Sequence, residues 1–376
     1  MKCAFILYAN QLGGHELMSS ELAAQFVEAS HQVTLFLPNE IKNKQRLVDG
    51  HSNIRIEGYD SGINQKNKIG IKSFVVSSLK RFRLIWRLKS EYTLIVNCQG
   101  SFEQNWISSF FCRILAINIV SYIPYTSYPS ERNAKYSYVR DKFFGALVKL
   151  PLRYIVIDDY YKKQLEERFK IKGSYILVVK NKVDVKCDSK QVKVDNLTEP
   201  LKFILPGRVY FAQKGQDLVI DAIKRFSDEE LNFRFFFIGD GPDKNKLKEN
   251  ISTNYLSEIC SIMPWQDNVN ELYSSCDCVV LPSRYEGVSL VMLEAMALKK
   301  PLLASNIDIN MSFIKKDFLF EAENSEDLSQ KLLHMYHLLK SNSWSHEDNY
   351  NDLSNYEDSN INRNINNWIS IAFDAL

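Results

Sequence analysis

Apolar positions recur along the chain as short uninterrupted runs separated by stretches of helical spacing. Lys2–Ala9, Gln32–Leu37, Leu94–Cys98, Ile117–Ile123, Tyr154–Ile157 and Ile176–Val179 predict buried strands. Between them Leu17–Ala29 and Tyr160–Phe169 carry apolar residues three and four apart and predict helices. A second series has strands at Phe203, Phe233–Ile238, Ile259–Met263, Cys278–Leu281 and Leu302, with helices beginning near Lys214, Pro242, Val269, Gly287 and Glu326. Such alternation implies an α/β fold built on parallel, doubly wound sheets. Between Val185 and Pro200 the apolar pattern fades into Lys, Asp, Asn and Thr and ends in a proline, which predicts a linker. The expected organisation is a first domain over 1–185, a linker over 186–200 and a second domain over 201–357, with a terminal segment over 358–376. Ser341–Asn367 is rich in Asn, Ser and Asp, yet Ile361, Ile365, Trp368, Ile369 and Ala372 fall at helical spacing and predict a last amphipathic helix.

Arg284–Ala297 reads RYEGVSLVMLEAMA, with Glu286 and Glu294 bracketing seven residues between two strands. If the helix starts near Gly287, a rise of ~1.5 Å per residue separates the carboxylates by roughly 12 Å, about the span from sugar to ribose in a nucleotide sugar. The free N–H groups of Gly287, Val288 and Ser289 and the helix dipole would then face a diphosphate. Taken alone, two glutamates at this spacing fit an ordinary solvated amphipathic helix equally well. The β-α-β context favours a site, because Glu286 falls beyond the carboxyl end of a strand.

Three further segments accompany this motif. Pro206–Gly215 reads PGRVYFAQKG, Ile238–Pro242 reads IGDGP and Leu12–Glu16 reads LGGHE. In order and spacing these resemble the retaining glycosyltransferases of family four, across nearly the whole chain and most closely over Leu201–Ser305. The resemblance implies the GT-B fold, two facing Rossmann-like domains with a C-terminal helix crossing back onto the first. It implies that Arg208 and Lys214 bind the pyrophosphate, Glu286 the hydroxyls of the transferred sugar and Glu294 the ribose. Gly13, Gly14, Gly207 and Gly239 would let loops approach the donor, and preorganised positive charge would stabilise the departing diphosphate. The implied partners are a nucleotide diphosphate sugar, a UDP-sugar foremost, and a glycan or lipid-linked acceptor rather than nucleic acid. No cofactor and no metal are expected. The implied setting is assembly of cell-surface polysaccharide or lipopolysaccharide at a bacterial cytoplasmic membrane. A sugar-nucleotide epimerase on the same architecture, or a partner subunit with a degenerate donor site, are the alternatives.

The chain departs from that family where a histidine often follows a middle strand of the first domain. Here the stretch is Val96–Gly100, VNCQG, and no histidine occurs between His51 and His334. His15, Asn97, Gln99 and Tyr125 are the residues expected to line an acceptor groove instead, and no general base is assigned. In the family retention is attributed to same-face displacement, with the departing phosphate taking the acceptor's proton. Lys182 and Lys299 stand where glycines are expected, and a left-handed Lys299 would cost on the order of 1 kcal/mol.

With 376 residues, 45% of them hydrophobic, the chain is long enough for two cores. Seven cysteines without paired CxxC motifs argue against a disulfide framework or zinc site and for a reducing compartment. MKCAFILYAN reads better as a first strand than as a signal peptide, and no run reaches the ~18 apolar residues of a membrane span. A cytoplasmic protein, soluble or peripheral, is expected. The net charge of +2 conceals an asymmetry: residues 1–185 hold 27 Lys and Arg against 16 Asp and Glu, and the remainder 20 against 29. Lys66–Lys89 carries eight basic residues and no acid, with Val75, Leu79, Phe82 and Trp86 on one stripe. That stripe predicts a helix packed into the core with its charges solvated; contact with an anionic membrane surface is the alternative reading.

Overall fold

The computed structural model describes residues 1–8, 13–41, 44–48, 53–62, 71–98, 100, 102–126, 128, 130–132, 136–151, 153–181, 199–226, 231–266, 268–351 and 361–373. The chain divides into two compact units, Met1–Lys182 with Tyr356–Leu376, and Val183–Asn355. Most of the expected linker, along with Gln99, Lys66, Lys68, Lys182 and Cys187, lies outside the described residues.

Unit 1 contains strands β1 (Lys2–Leu7), β2 (Gln32–Pro38), β3 (Arg55–Tyr59), β4 (Leu94–Cys98), β5 (Ile119–Ile123), β6 (Arg153–Val156) and β7 (Ile176–Val178), all parallel, in the order β3-β2-β1-β4-β5-β6-β7. Unit 2 repeats the scheme with β8 (Leu201–Pro206), β9 (Phe233–Ile238), β10 (Cys260–Met263), β11 (Cys278–Leu281), β12 (Leu302–Ser305) and β13 (Leu319–Phe320), in the order β10-β9-β8-β11-β12-β13. Central strands β1, β4, β5 and β11 are buried along nearly their whole length, so continuous Val, Ile, Leu and Phe runs suit both of their covered faces. The sequence pattern does not reveal β3 and β13: RIEGY is a half-exposed edge strand and β13 has only two residues.

Helices connect the strands. Gly14–Glu28 follows β1, and Ile361–Phe373 packs on it within unit 1, burying Ile365, Trp368 and Ile369. All six described cysteines are free and buried, and burial pushes the thiols of Cys3, Cys112, Cys260 and Cys276 up to about 12. They are core side chains.

Two expectations are corrected. The helix Ile71–Leu88 turns Leu84, Ile85 and Leu88 to the sheet, where they join Ile6, Phe36 and Ile95, while Val75, Leu79 and Trp86 face outward and Phe82 is half-buried. The helix closes in a tight turn into β4, where Glu91 and Tyr92 donate their N–H groups to the Leu88 carbonyl. The second correction concerns the motif helix, which begins at Leu290 with Ser289 as its cap, not at Gly287. Val288 and Ser289 are buried in the approach, so Glu286 sits on the preceding loop and the two carboxylates are not on one helix.

Candidate active site

Unit 2 places its polar loops where the strand order reverses. β8 lies between β9 and β11, so connections leaving β8 and β11 diverge to opposite faces and open a crevice beyond their carboxyl ends. The β8 loop carries Gly207, Arg208 and Lys214; the β11 loop carries Ser283, Arg284 and Glu286.

Lys214 ends a single helical turn, Phe211–Lys214, and Gly215 follows in the left-handed region at φ 64°. A Cβ there would run into the Pro282 carbonyl, so glycine is what lets the two loops touch. Across that contact Lys214 Nζ bonds Glu286 Oε1, which also accepts from Ser283 Oγ at 2.8 Å. The paired side chains are only 15% and 10% exposed, so each charge compensates the other's desolvation. The Lys214 stem passes over Gly207, and Gly239 packs against the Gly207 carbonyl where a Cβ would clash.

Arg284 ties this arrangement together. Its guanidinium meets both Asp217 carboxylate oxygens at 2.9 Å and also bonds the Phe211 carbonyl, while the Arg284 backbone N–H donates to the Gln213 carbonyl at 2.8 Å. Asp217 lies in the first turn of the helix Gln216–Ile223, so one side chain links the β11 loop to the turn and helix flanking Lys214. Arg208 is separate: its side chain is exposed, and its carbonyl accepts from Gln216 Nε2 at 3.0 Å.

Glu294 lies midway along Leu290–Ala297, with the Tyr273 hydroxyl 2.9 Å from its Oε2 and 3.2 Å from the Val291 carbonyl. Burial pushes the Glu294 carboxyl up to about 7, against the opposing pull of the Tyr273 bond. Beside it is a cavity of about 30 Å³ lined by Pro206, Ile238, Trp265, Tyr273, Val291 and Glu294.

Unit 1 has its own switch point between β1 and β4. Gly13 caps Gly14–Glu28 in an extended conformation, and His15 in the first turn stacks on Tyr122 of β5, centroids 5.6 Å apart and planes at 13°. Burial pushes its pKa down to about 4, so the ring is neutral near pH 7. Asn97 is fully buried within β4. Tyr125 is half-buried just beyond β5.

Of the residues singled out in sequence, the structure joins Lys214 to Glu286, sets Gly207 and Gly239 against each other, and gives Glu294 a separate partner. Ser283, Arg284, Asp217 and Tyr273 are partners that the sequence pattern does not single out. Arg284 opens the motif itself, whereas Tyr273 sits 21 residues before Glu294 with no periodicity linking the two.

Two doubly wound units, the second with an ion pair and glycine-lined loops at its switch point, define a two-domain α/β protein of the GT-B fold. Residues 188–348, most of the second unit, match the family model of the glycosyl transferases group 1. An uncharacterised glycosyltransferase of Methanocaldococcus jannaschii is 30% identical over 185 residues, 48% of each chain. The UDP-Gal:α-D-GlcNAc-diphosphoundecaprenol α-1,3-galactosyltransferase of Escherichia coli is 29% identical over 154 residues, 38% of this chain and 40% of that one. The chain thus aligns with about half the length, or less, of these curated relatives. Among solved structures, Anabaena HepE in complex with UDP and glucose superposes with a TM-score of 0.70 at 16% identity, covering 100% of this chain and 98% of that one.

Proposed function

We propose that the protein is a retaining glycosyltransferase that moves a hexosyl group from a nucleotide diphosphate sugar, a UDP-sugar foremost, to a glycan or lipid-linked acceptor of bacterial cell-surface polysaccharide. The observation that carries this reading is the Lys214–Glu286 pair at the switch point of a glycosyl transferases group 1 domain. The E. coli relative is named for a UDP-galactose donor and a diphosphoundecaprenol acceptor, and HepE binds UDP and glucose, which support the same class here.

In this mechanism Lys214 turns from Glu286 to the donor's diphosphate, and Glu286 turns to the hydroxyls of the transferred sugar. The exchange keeps both charges partnered throughout. Arg208 adds a second, two-point contact to phosphate, and Glu294 accepts from the ribose hydroxyls. The bond from the anomeric carbon to the phosphate oxygen breaks as negative charge builds on the diphosphate, where Lys214 and Arg208 stabilise it. The acceptor oxygen bonds the same face of the carbon and its proton passes to the departing phosphate. No protein base and no metal enter this scheme. We place the enzyme in the cytoplasm, peripheral at the inner face of the cell membrane.

A thermal-shift comparison of nucleotide sugars tests donor binding, since a ligand bound only by the folded state raises the melting temperature. Release of UDP and the anomeric configuration of the product with an undecaprenyl-diphosphate-linked sugar then test transfer. A new sugar isomer formed from donor alone would mark an epimerase instead, and binding without turnover a partner subunit.

A further inference from the structure

We propose that the outer face of three consecutive helices in unit 1 inserts apolar side chains into an anionic phospholipid bilayer. The placement of the enzyme at a membrane given above supplies the occupant; the face itself is an independent observation.

Ile71–Leu88, Phe102–Ile114 and Ser137–Leu147 pack side by side along the sheet. Their inner sides fill the core, yet their outer sides are also apolar. Leu79 is 55% exposed, Trp86 59%, Ile114 62% and Phe143 64%, with Phe110 and Val139 also exposed. Trp86 rests on Phe82, which in turn packs edge-on against Phe111, so the aromatic layer is continuous from core to surface. Scattered exposed apolar residues are ordinary; this many on one contiguous helical layer mark an interaction surface.

The charges on the face select its occupant. Arg83, one turn from both Leu79 and Trp86, and Arg113, beside Ile114, are exposed, and Lys142 lies 4.5 Å over the Tyr138 ring. Nearby acids are turned elsewhere: Asp60 pairs with Lys80 at 2.6 Å, Glu57 with Arg87 at 3.7 Å, and Asp141 accepts from the Ser130 N–H at 3.2 Å. Lys80 is therefore paired just beyond β3 and Arg87 on it, and Arg81 lies over the Tyr8 ring at 4.7 Å. Three of the eight basic residues of Lys66–Lys89 are thus engaged by groups of the protein itself. What remains outward is apolar and aromatic surface with dispersed cations, the chemistry of the interface between headgroups and acyl chains of acidic lipids. Insertion, more than charge attraction, provides the binding.

The test is sedimentation with vesicles of phosphatidylcholine containing phosphatidylglycerol and with vesicles of phosphatidylcholine alone, at low and high salt. Wild type is expected to bind the anionic vesicles and to remain largely bound at high salt. Leu79→Ser with Trp86→Ser and Ile114→Ser should weaken partitioning by about 100-fold or more, from the apolar area removed. Arg83→Glu with Arg113→Glu should reduce only the preference for anionic lipid. As a measure needing no loss of binding, acyl-chain-brominated lipid should quench wild-type tryptophan emission, and Trp86→Phe should remove most of that quenching. Wild type left in the supernatant, binding abolished by salt but untouched by the apolar variant, or a concentration-dependent dimer that the apolar variant makes monomeric, would each overturn the proposal. Nucleotide thermal shifts on the same preparations report on donor binding alone, so failure here is distinct from failure of the glycosyltransferase reading.

Discussion

Glu286 and Glu294, similar in the chain, are placed in opposite surroundings: one is held by a lysine, the other by a tyrosine in an apolar pocket. Glu286→Gln should therefore cut turnover by on the order of 10²-fold while leaving affinity for free UDP nearly unchanged, because its contact is with the sugar. Glu294 predicts a pH signature. Ribose hydroxyls donate to the ionised carboxylate, so nucleotide binding lowers its pKa from about 7, and affinity should rise as pH increases through about 7. Calorimetric titration across that range should show proton release on binding, and Glu294→Gln should weaken binding and flatten its pH profile. The same group acts oppositely on stability. From about 4.5 to about 7 the unfolded chain loses this proton and the folded chain keeps it, so its contribution to stability falls as pH rises.

The two loops of the site are held in register by Arg284, whose bonds to Asp217, Phe211 and Gln213 fix the backbone on which Lys214 and Glu286 stand and leave their side chains free to exchange partners. Arg284→Lys keeps a charge but loses the two-point grip. We expect it to lower kcat by about tenfold or more with less change in nucleotide affinity, and Asp217→Asn to move kcat in the same direction; equal loss of both parameters, or a falling melting temperature alone, would indicate a merely structural strut. At the end of the motif helix, Lys299 adopts a left-handed conformation at φ 53°. Lys299→Gly should stabilise the protein by about 0.5–1 kcal/mol, read as a raised denaturation midpoint.

The chain leaves unit 1 and returns to it, because Ile361–Phe373 packs with the first unit. Ile365, Trp368 and Ile369 are buried there, each contributing roughly 1.5–3 kcal/mol. Deleting residues 356–376 should lower the melting transition of unit 1, seen by calorimetry, while UDP still raises the transition of unit 2. If both transitions fall together, the last helix supports more than the unit on which it packs.

Strand runs such as CVVL and FRFFFI, the alternation with helices and the RYEG motif were readable directly, because central parallel strands must be apolar on both faces and phosphate-binding loops need glycine and cations. The same logic could not phase Ile71–Leu88. That helix has two apolar stripes, and only its packing against the sheet shows which one is buried. Nor could spacing start the motif helix correctly, since Val288 enters the core before the helix begins. Local pattern thus determined which segments are strands and helices and which residue types could hold a diphosphate. Tertiary structure alone decided that Lys214 meets Glu286 and Tyr273 meets Glu294, because those contacts join loops and helices 72 and 21 residues apart through the order of the strands beneath them.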